Sequence, residues 1–488
     1  MDRMRTGGSH RRAALIAALA LMAVGSGTAW AVSNSDQGVD VQHRLAAQSN
    51  RLFGFGQPLD HAATGSTTAA GTGAVEAAKG LAVSLVTDRV GQNADMIALW
   101  PNDTNPTWAI VCNEVDGRRT SAATLQRVRL SDGVVQDIVS GNVSCDPAHR
   151  TAWGTIVFGE EAGPSGRLFE LLDPLGTSGV TVDRAAGTTS DPAHVAVRTA
   201  LGQLSFEGVV VLPDGITYYA DELRPSNGKP GGGLYKFVPS RPWAGGAPIT
   251  RLSQSPLVAG SVHVLRLGLR SGGSDYGQGS NTGAGRWIPL TAPADLTTFD
   301  LAATALTAGG YTGYYRPEDM DLDPLAWADG RVRACWNNTG NDSQANWGET
   351  LCFEDAPTAL AGFATGTRPV VSTFVVGDPE LRMPDNLDFQ PGTGILYVLM
   401  DATTSTEAQG FTNDAVFACL PDGADRDTLS DGCVRVLNSL DGDAEWTGLQ
   451  FLADGRSFLI NHQHRNQDGR AVPGTTDMLR VSGLTVKH

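Results

Sequence analysis

From about residue 80 the chain is a succession of short apolar runs separated by Asp-Gly, Pro-Asp-Gly, Gly-Gly and Asn-rich turns. Runs of this length flanked by turn residues read as β-strands joined by hairpins. Examples are Leu81–Val86, Trp108–Cys112, Thr155–Phe158, Val209–Leu212, Gly233–Val238, Val370–Val376, Leu396–Met400 and Phe458–Ile460. Long helical periodicity is nearly absent, and only residues 292–308 suggest a short helix or an ordered loop.

The runs also repeat. Val210-Val211-Leu212-Pro213-Asp214-Gly215-Ile216-Thr217-Tyr218-Tyr219 resembles the segments 387–397 and 449–459. In each, a strand meets a glycine turn, a second strand follows, and a polar cluster closes the unit: Asp221-Glu222, Asp401, or Asn461-His462-Gln463. Recurrent units of this kind are the sequence form of propeller blades. Unrelated hairpins of a β-sandwich are the rival reading, but roughly 450 residues is long for one sandwich. The expected fold is all-β: a single β-propeller over residues 80–488 with loop insertions, preceded by a polar lead-in at 32–79.

Residues 1–31 read as a signal peptide. Arg3, Arg5, Arg11 and Arg12 precede the apolar run Ala13–Gly25, and Ala29-Trp30-Ala31 is an A-x-A-like cleavage site. The run is shorter than the ~20 residues of a membrane span, so no span is expected after cleavage. Arg11-Arg12 matches the pair of a twin-arginine signal, although its flanks do not. Export by the Sec or twin-arginine route, to the periplasm or the cell exterior, is the expectation. The formal charge is -16, and removing four Arg and one Asp with residues 1–31 makes it -19. No basic stripe is visible, which argues against nucleic acid as a partner. The chain is expected to be a monomer.

The six cysteines, Cys112, Cys145, Cys335, Cys352, Cys419 and Cys433, are an even set in an exported chain and suggest disulfides. Nearest neighbours pair as 112–145, 335–352 and 419–433, although six cysteines allow 15 pairings. The last two pairs flank turns that would bring their ends together. No CxxC motif is present, which argues against zinc-ribbon and thioredoxin chemistry.

Carboxylates carry the chemistry. Seven groups fall at the ends of expected strands: Glu114, Glu160-Glu161, Glu207, Asp221-Glu222, Glu318-Asp319, Asp385 and Glu445. In a propeller such strand ends point into the central channel. Carboxylates gathered there repel unless a cation neutralises them, and oxygen donors suit Ca²⁺, which takes six to eight. Any one of them taken alone reads equally as a surface or turn residue.

In order and spacing, several motifs resemble the PhoX-type alkaline phosphatases over about residues 50–470. They are Trp153-Gly154-Thr155 to Glu160-Glu161, the Glu207 segment, Leu212-Pro213-Asp214-Gly215 to Asp221-Glu222, and Gly233-Leu234-Tyr235-Lys236-Phe237-Val238-Pro239. Arg316-Pro317-Glu318-Asp319, Pro384-Asp385-Asn386-Leu387, and Glu445-Trp446-Thr447-Gly448 to Asn461-His462-Gln463-His464 complete the set. The resemblance implies a six-bladed propeller whose channel holds calcium and iron ions, and hydrolysis of a small phosphate ester. By motif, the metal ligands would come from Glu114, Glu160, Glu207, Glu222, Glu318, Asp319, Asp385 and Glu445, with Arg316 either facing the phosphate or pairing with a neighbouring carboxylate. His462 or His464 would give a proton to the leaving group or contact phosphate; both equally suit structural hydrogen bonds at a polar strand end.

Three positions depart from the family. Gly159 stands where it has an iron-ligating cysteine, Phe206 where it has a histidine, and Cys112-Asn113-Glu114 replaces Asn-His-Glu. The lost thiolate removes the strongest reason to expect Fe³⁺ and leaves several Ca²⁺ as the expected cofactors. Two other readings stay open. One is a calcium-dependent lactonase or esterase using Glu318, Asp385 and Asn386. The other is a calcium-binding propeller without activity.

Overall fold

The computed structural model describes residues 39–486 except 120, 227–228, 268–280, 356–367, 403–411, 424–425 and 466–474. The signal peptide expected at 1–31 lies outside the described residues. Residues Asp36–His488 form one compact unit, and it is a β-propeller.

Six strands line the channel: Ala94–Trp100, Cys145–Arg150, Phe206–Val211, Pro317–Leu322, Pro384–Phe389 and Glu445–Phe451. Each packs against the next, and the last returns to the first, closing a ring. We number the six units they open I to VI. Each inner strand pairs antiparallel with the strand after it: Trp108–Asn113, Thr155–Glu160, Thr217–Asp221, Val332–Asn338, Leu396–Met400 and Ser457–Arg465. The hairpins of units III, V and VI are the three repeats visible in the sequence.

By hydrogen bonding the strands form five sheets, not six, among the described residues. The strand Gly283–Pro289, an extra one in unit III, pairs with Val370–Val376 of unit IV and joins the two into one ten-stranded sheet. The chain ends are locked together, since Ala82–Thr87 forms the outer strand of unit VI against Thr475–Ser482. The lead-in also contributes a strand, because Val75–Ala77 pairs with Cys433–Ser439 of unit V. The short helix falls within the expected segment, as Leu301–Thr307, where the Asp300 carboxylate accepts from the Ala303 N–H.

The inner strands are largely buried on both faces, although those of units II, IV and V are rich in polar residues. Six hydrophobic clusters lie between neighbouring units, one at each boundary around the ring. All six cysteines are paired, as Cys112–Cys145, Cys335–Cys352 and Cys419–Cys433.

Candidate active site

The site follows from one repeated irregularity. In units I to V the inner strand begins with a register-paired residue: Ala94 opposite Asn113, Cys145 opposite Glu160, Phe206 opposite Asp221, Pro317 opposite Asn338, Pro384 opposite Met400. A β-bulge follows at once in all five, inserting a residue into the inner strand. Bulges re-aim the side chains beside them. The residue next along the inner strand is acidic every time: Asp95, Asp146, Glu207, Glu318 and Asp385. In unit VI Glu445 opens the strand, and the bulge comes slightly later.

A second tier stands one residue beyond the paired end of the neighbouring strand: Glu114, Glu161, Glu222, Thr339 and Asp401. In unit VI His464 plays this part, its Nε2 3.4 Å from Glu445 Oε2. Four inner strands are entered through a left-handed residue other than glycine, at Asn93, Ser144, Arg316 and Met383. Such backbone costs energy and gathers at functional sites.

Ten carboxyl groups thus converge with one guanidinium. Arg316 ion-pairs with Glu222, with Glu318 at 2.7 Å and with Asp401 at 3.4 Å. Its Nη1 also donates to Thr339 Oγ1 at 3.1 Å. Ligating oxygens of Glu207, Glu318 and Asp385 lie within 4.8 Å of one another, as do those of Asp385, Asp401 and Glu445. Asp385 belongs to both triplets.

One arginine cannot neutralise such a ring. Two like charges 4.8 Å apart repel by about 3 kcal/mol even at an effective dielectric of 20. Burial first, then neighbouring carboxylates, pushes Asp95, Glu161, Glu207, Asp385 and Glu445 well above the usual carboxylate range. Asp146 is pushed up to about 8, mainly by burial. Burial also raises Glu318, against the pull of Arg316. Glu222 goes the other way: burial opposes its charge, but a hydrogen bond from Glu161 and the Arg316 charge outweigh burial. Arg316 stays charged despite burial because Glu318, Glu222 and Asp401 surround it.

Three residues expected at the site stand outside the ring. Glu160 is fully buried but faces away, paired with Arg184 and accepting from the Val143 N–H at 3.0 Å; its neighbour Glu161 takes the channel position. Asp319 accepts from the Met320 N–H at 2.6 Å and the Leu387 N–H at 3.1 Å. It therefore ties unit IV to unit V. His462 is stacked on Trp446 with ring centroids 4.3 Å apart, and its Nε2 lies 2.9 Å from Ser439 Oγ. The histidine beside the carboxylates is His464. Glu114, Glu207, Glu222, Glu318, Asp385, Glu445 and Arg316 are brought together. Asp95, Asp146 and Asp401 were not expected there.

The family model for alkaline phosphatase PhoX matches residues 102–466. The chain belongs to the PhoX alkaline phosphatase family. A solved structure of Pseudomonas fluorescens PhoX in complex with vanadate, a transition state analogue, is similar with a TM-score of 0.56 and 17% identity, over 88% of this chain and 100% of that one. A putative gluconolactonase (TM-score 0.41, 11% identity, 83% and 92% covered) is a looser likeness. So is the PQQ-bound aldose sugar dehydrogenase of Streptomyces coelicolor (0.42, 12%, 82% and 98%). No curated protein matches the chain.

Two departures from the PhoX pattern now have a spatial account. A Cβ on Gly159 would lie 2.7 Å from Pro147 Cγ and 2.9 Å from Phe206 Cβ. Phe206 itself packs against Tyr219, ring centroids 5.6 Å apart, inside the core between units II and III. The space for a thiolate is therefore filled by apolar atoms, and all six cysteines are in disulfides. Among the described residues the ring offers carboxylate oxygens, with the His464 ring nitrogen 3.4 Å from Glu445 beside them. Asp95 Oδ1, Asp385 Oδ1, Asp401 Oδ1 and Gln463 Oε1 are buried without a hydrogen-bond partner, and the Asp146 carboxyl meets only the carboxyl of Glu207. Buried oxygens of this kind need donors or cations, so the donor set fits a hard cation such as Ca²⁺.

Proposed function

We propose that this chain is an exported, metal-dependent phosphatase of the PhoX family, hydrolysing small phosphate esters at a calcium-rich carboxylate ring. The observation that carries the reading is the ring itself: ten carboxyl groups from six inner-strand units, several with unpartnered buried oxygens, around one arginine. Asp385, shared by two triplets, would be among the residues that hold the cations. A lactonase-type site needs one central position with a single set of ligands, so the two triplets favour the phosphatase.

Bound Ca²⁺ would polarise the phosphoryl oxygens and offset charge on the leaving oxygen. The chain's own residues do the rest. Glu207, Glu318, Asp385, Asp401 and Glu445 would hold the cations, with Asp95, Glu114, Asp146, Glu161 and Glu222 completing the negative ring. Arg316 binds the phosphoryl group: Nε and Nη1 are held by Glu222, Glu318, Asp401 and Thr339, which leaves Nη2 without a partner among the described residues. A guanidinium fixed on three sides is pre-organised for an anion. Its left-handed backbone, φ 58°, aims it inward. Fe³⁺ is dispensable in this proposal, because the ring supplies no thiolate.

The test is hydrolysis of p-nitrophenyl phosphate by the mature chain, stripped with a chelator and then given Ca²⁺, with and without Fe³⁺. Calcium-dependent turnover that Glu207→Gln abolishes is the expected result. Calcium-dependent stabilisation without turnover under any metal condition would leave only a calcium-binding propeller.

A further inference from the structure

Two of the three disulfides stay within a sheet: Cys335–Cys352 and Cys419–Cys433 each join paired residues of neighbouring strands. The third crosses a boundary. Cys112 belongs to the second strand of unit I and Cys145 opens the inner strand of unit II, and both are fully buried. Glu114 stands two residues after Cys112, and Asp146 follows Cys145 directly. The covalent link therefore lies behind two carboxyl groups of the ring, on different units.

Three other boundaries are tied at this level by polar side chains. Asp319 and Asp321 of unit IV accept from the Leu387 and Phe389 N–H groups of unit V, at 3.1 and 2.9 Å. Asn386 and Asp388 of unit V accept from the Gly448 and Phe451 N–H groups of unit VI, both at 2.6 Å. Thr447 and Asn461 of unit VI donate to the Ala94 and Asp95 carbonyls of unit I, at 2.9 and 2.5 Å. The positions equivalent to Asp319 and Asn386 are Met96 in unit I, Pro147 in unit II and Gly208 in unit III, and none of the three offers a side-chain oxygen; only the boundary of units I and II carries a disulfide among the described residues. Unit I holds the inner strand of unit II through the Asp103–Arg150 ion pair at 2.5 Å and through the Val115 carbonyl, which accepts from the Ser144 N–H at 3.1 Å, and the disulfide adds a covalent link between these two ties.

We propose that Cys112–Cys145 is a positioning element of the cation site, setting the separation of Glu114 and Asp146 across the boundary of units I and II. It fixes covalently a boundary also held by that ion pair and that backbone hydrogen bond. Without it, repulsion among the ring carboxylates opens the first-to-second unit boundary, and the oxygens of Glu114 and Asp146 no longer converge with the rest. This inference rests on the calcium reading above.

The experiment compares Cys112→Ala/Cys145→Ala with Cys335→Ala/Cys352→Ala, a control whose cysteines are equally buried but within one sheet. The two links enclose sequence separations of 33 and 17 residues, so their effects on the unfolded chain are comparable. Each chelator-stripped mature chain is titrated with CaCl₂, followed by calorimetry and by Tm. Both variants should melt lower than the wild type without calcium. Only the cross-unit variant should need at least tenfold more calcium for half-saturation, while the control stays within twofold. A wild-type calcium midpoint in Cys112→Ala/Cys145→Ala, or an equal shift in both variants, overturns the proposal. If the double-alanine chain does not fold, the wild type is reduced in its folded state, with alkylation of Cys112 and Cys145 verified by mass, and titrated again. An unchanged midpoint there is equally fatal. A wild type that does not respond to calcium at all defeats the calcium reading itself, a result distinct from a responsive wild type with an indifferent variant.

Discussion

Asp146→Asn should stabilise the metal-free protein and weaken its response to calcium. Asp146 is 2% exposed, its carboxyl accepts from the Glu207 carboxyl, and burial pushes its pKa up to about 8 from a usual 3.8. The sign follows from which state binds the proton. Below 3.8 both folded and unfolded chains hold it; above 3.8 the unfolded chain releases it first, so the metal-free fold loses stability until the pH passes about 8. Some four pH units at 1.36 kcal/mol each make about 6 kcal/mol. For roughly 450 residues at ~2.1 cal/mol/K each, melting entropy is near 1 kcal/mol/K, so this amounts to about 6 °C.

An asparagine cannot ionise and so escapes this cost. With chelator present, Asp146→Asn should therefore melt above the wild type at pH 8, by up to about 6 °C. At pH 5 only about one unit of the pH span has been crossed, and the gain should shrink to about 2 °C. Saturating calcium narrows the gap without closing it: at 100 times Kd a cation contributes about 2.7 kcal/mol to the wild type and about 1.4 kcal/mol to a tenfold weaker site, so the variant's advantage shrinks by about 1.3 kcal/mol. Differential scanning fluorimetry at both pH values, with EGTA or with CaCl₂, reads all four conditions. A metal-free Asp146→Asn chain that melts at or below the wild type at pH 8 would refute the picture of a repelled, cation-seeking carboxyl.

The adjacent pair Glu160 and Glu161 should separate structure from cation binding. Glu160→Gln leaves Arg184 without its buried partner and should cost about 3 kcal/mol, lowering Tm with no change in calcium midpoint, whereas Glu161→Gln should shift the midpoint and raise the metal-free Tm. Arg316→Ala should lower kcat/KM for p-nitrophenyl phosphate by about 100-fold or more; an activity within threefold of wild type would remove Arg316 from the phosphate site. Gly159→Cys should not restore an iron site, because its Cβ would meet Pro147 and Phe206. Overpacking of about 1–3 kcal/mol is expected, and stoichiometric iron by elemental analysis without loss of Tm would contradict it.

Much of this was legible in the sequence because hairpins are local. The strand–glycine–strand repeats fall on the inner hairpins of units III, V and VI. Adjacent polar residues were harder. Side chains alternate along a strand, so of Glu160-Glu161 or Glu318-Asp319 one member faces the channel and the other does not. Which one depends on register, and register is not written in either dipeptide. His462 and His464 fail differently, being two apart in a strand whose pairing shifts between His462 and Arg465. The left-handed backbone at His464 then turns it toward Glu445.

Asp95 and Asp146 were missed because they lack the aromatic and glycine neighbours that marked the other groups. A signal was nevertheless present. Asn93-Ala94-Asp95, Ser144-Cys145-Asp146, Arg316-Pro317-Glu318 and Met383-Pro384-Asp385 share one geometry: a left-handed residue, a paired residue, then an acid at a bulge. The middle position varies from Ala to Cys to Pro because only its backbone is constrained, so residue-by-residue similarity does not reveal the pattern. The constraint is on where the acid falls relative to the bulge, and a tier of carboxylates in the channel is its consequence. Gly159 fits the same logic. With Phe206 turned into the core and Pro147 packed against the strand, the apolar side of this boundary can change, while the acids on the channel side answer to one another's charge. This separation lets the chain lose a thiolate position and keep the ring.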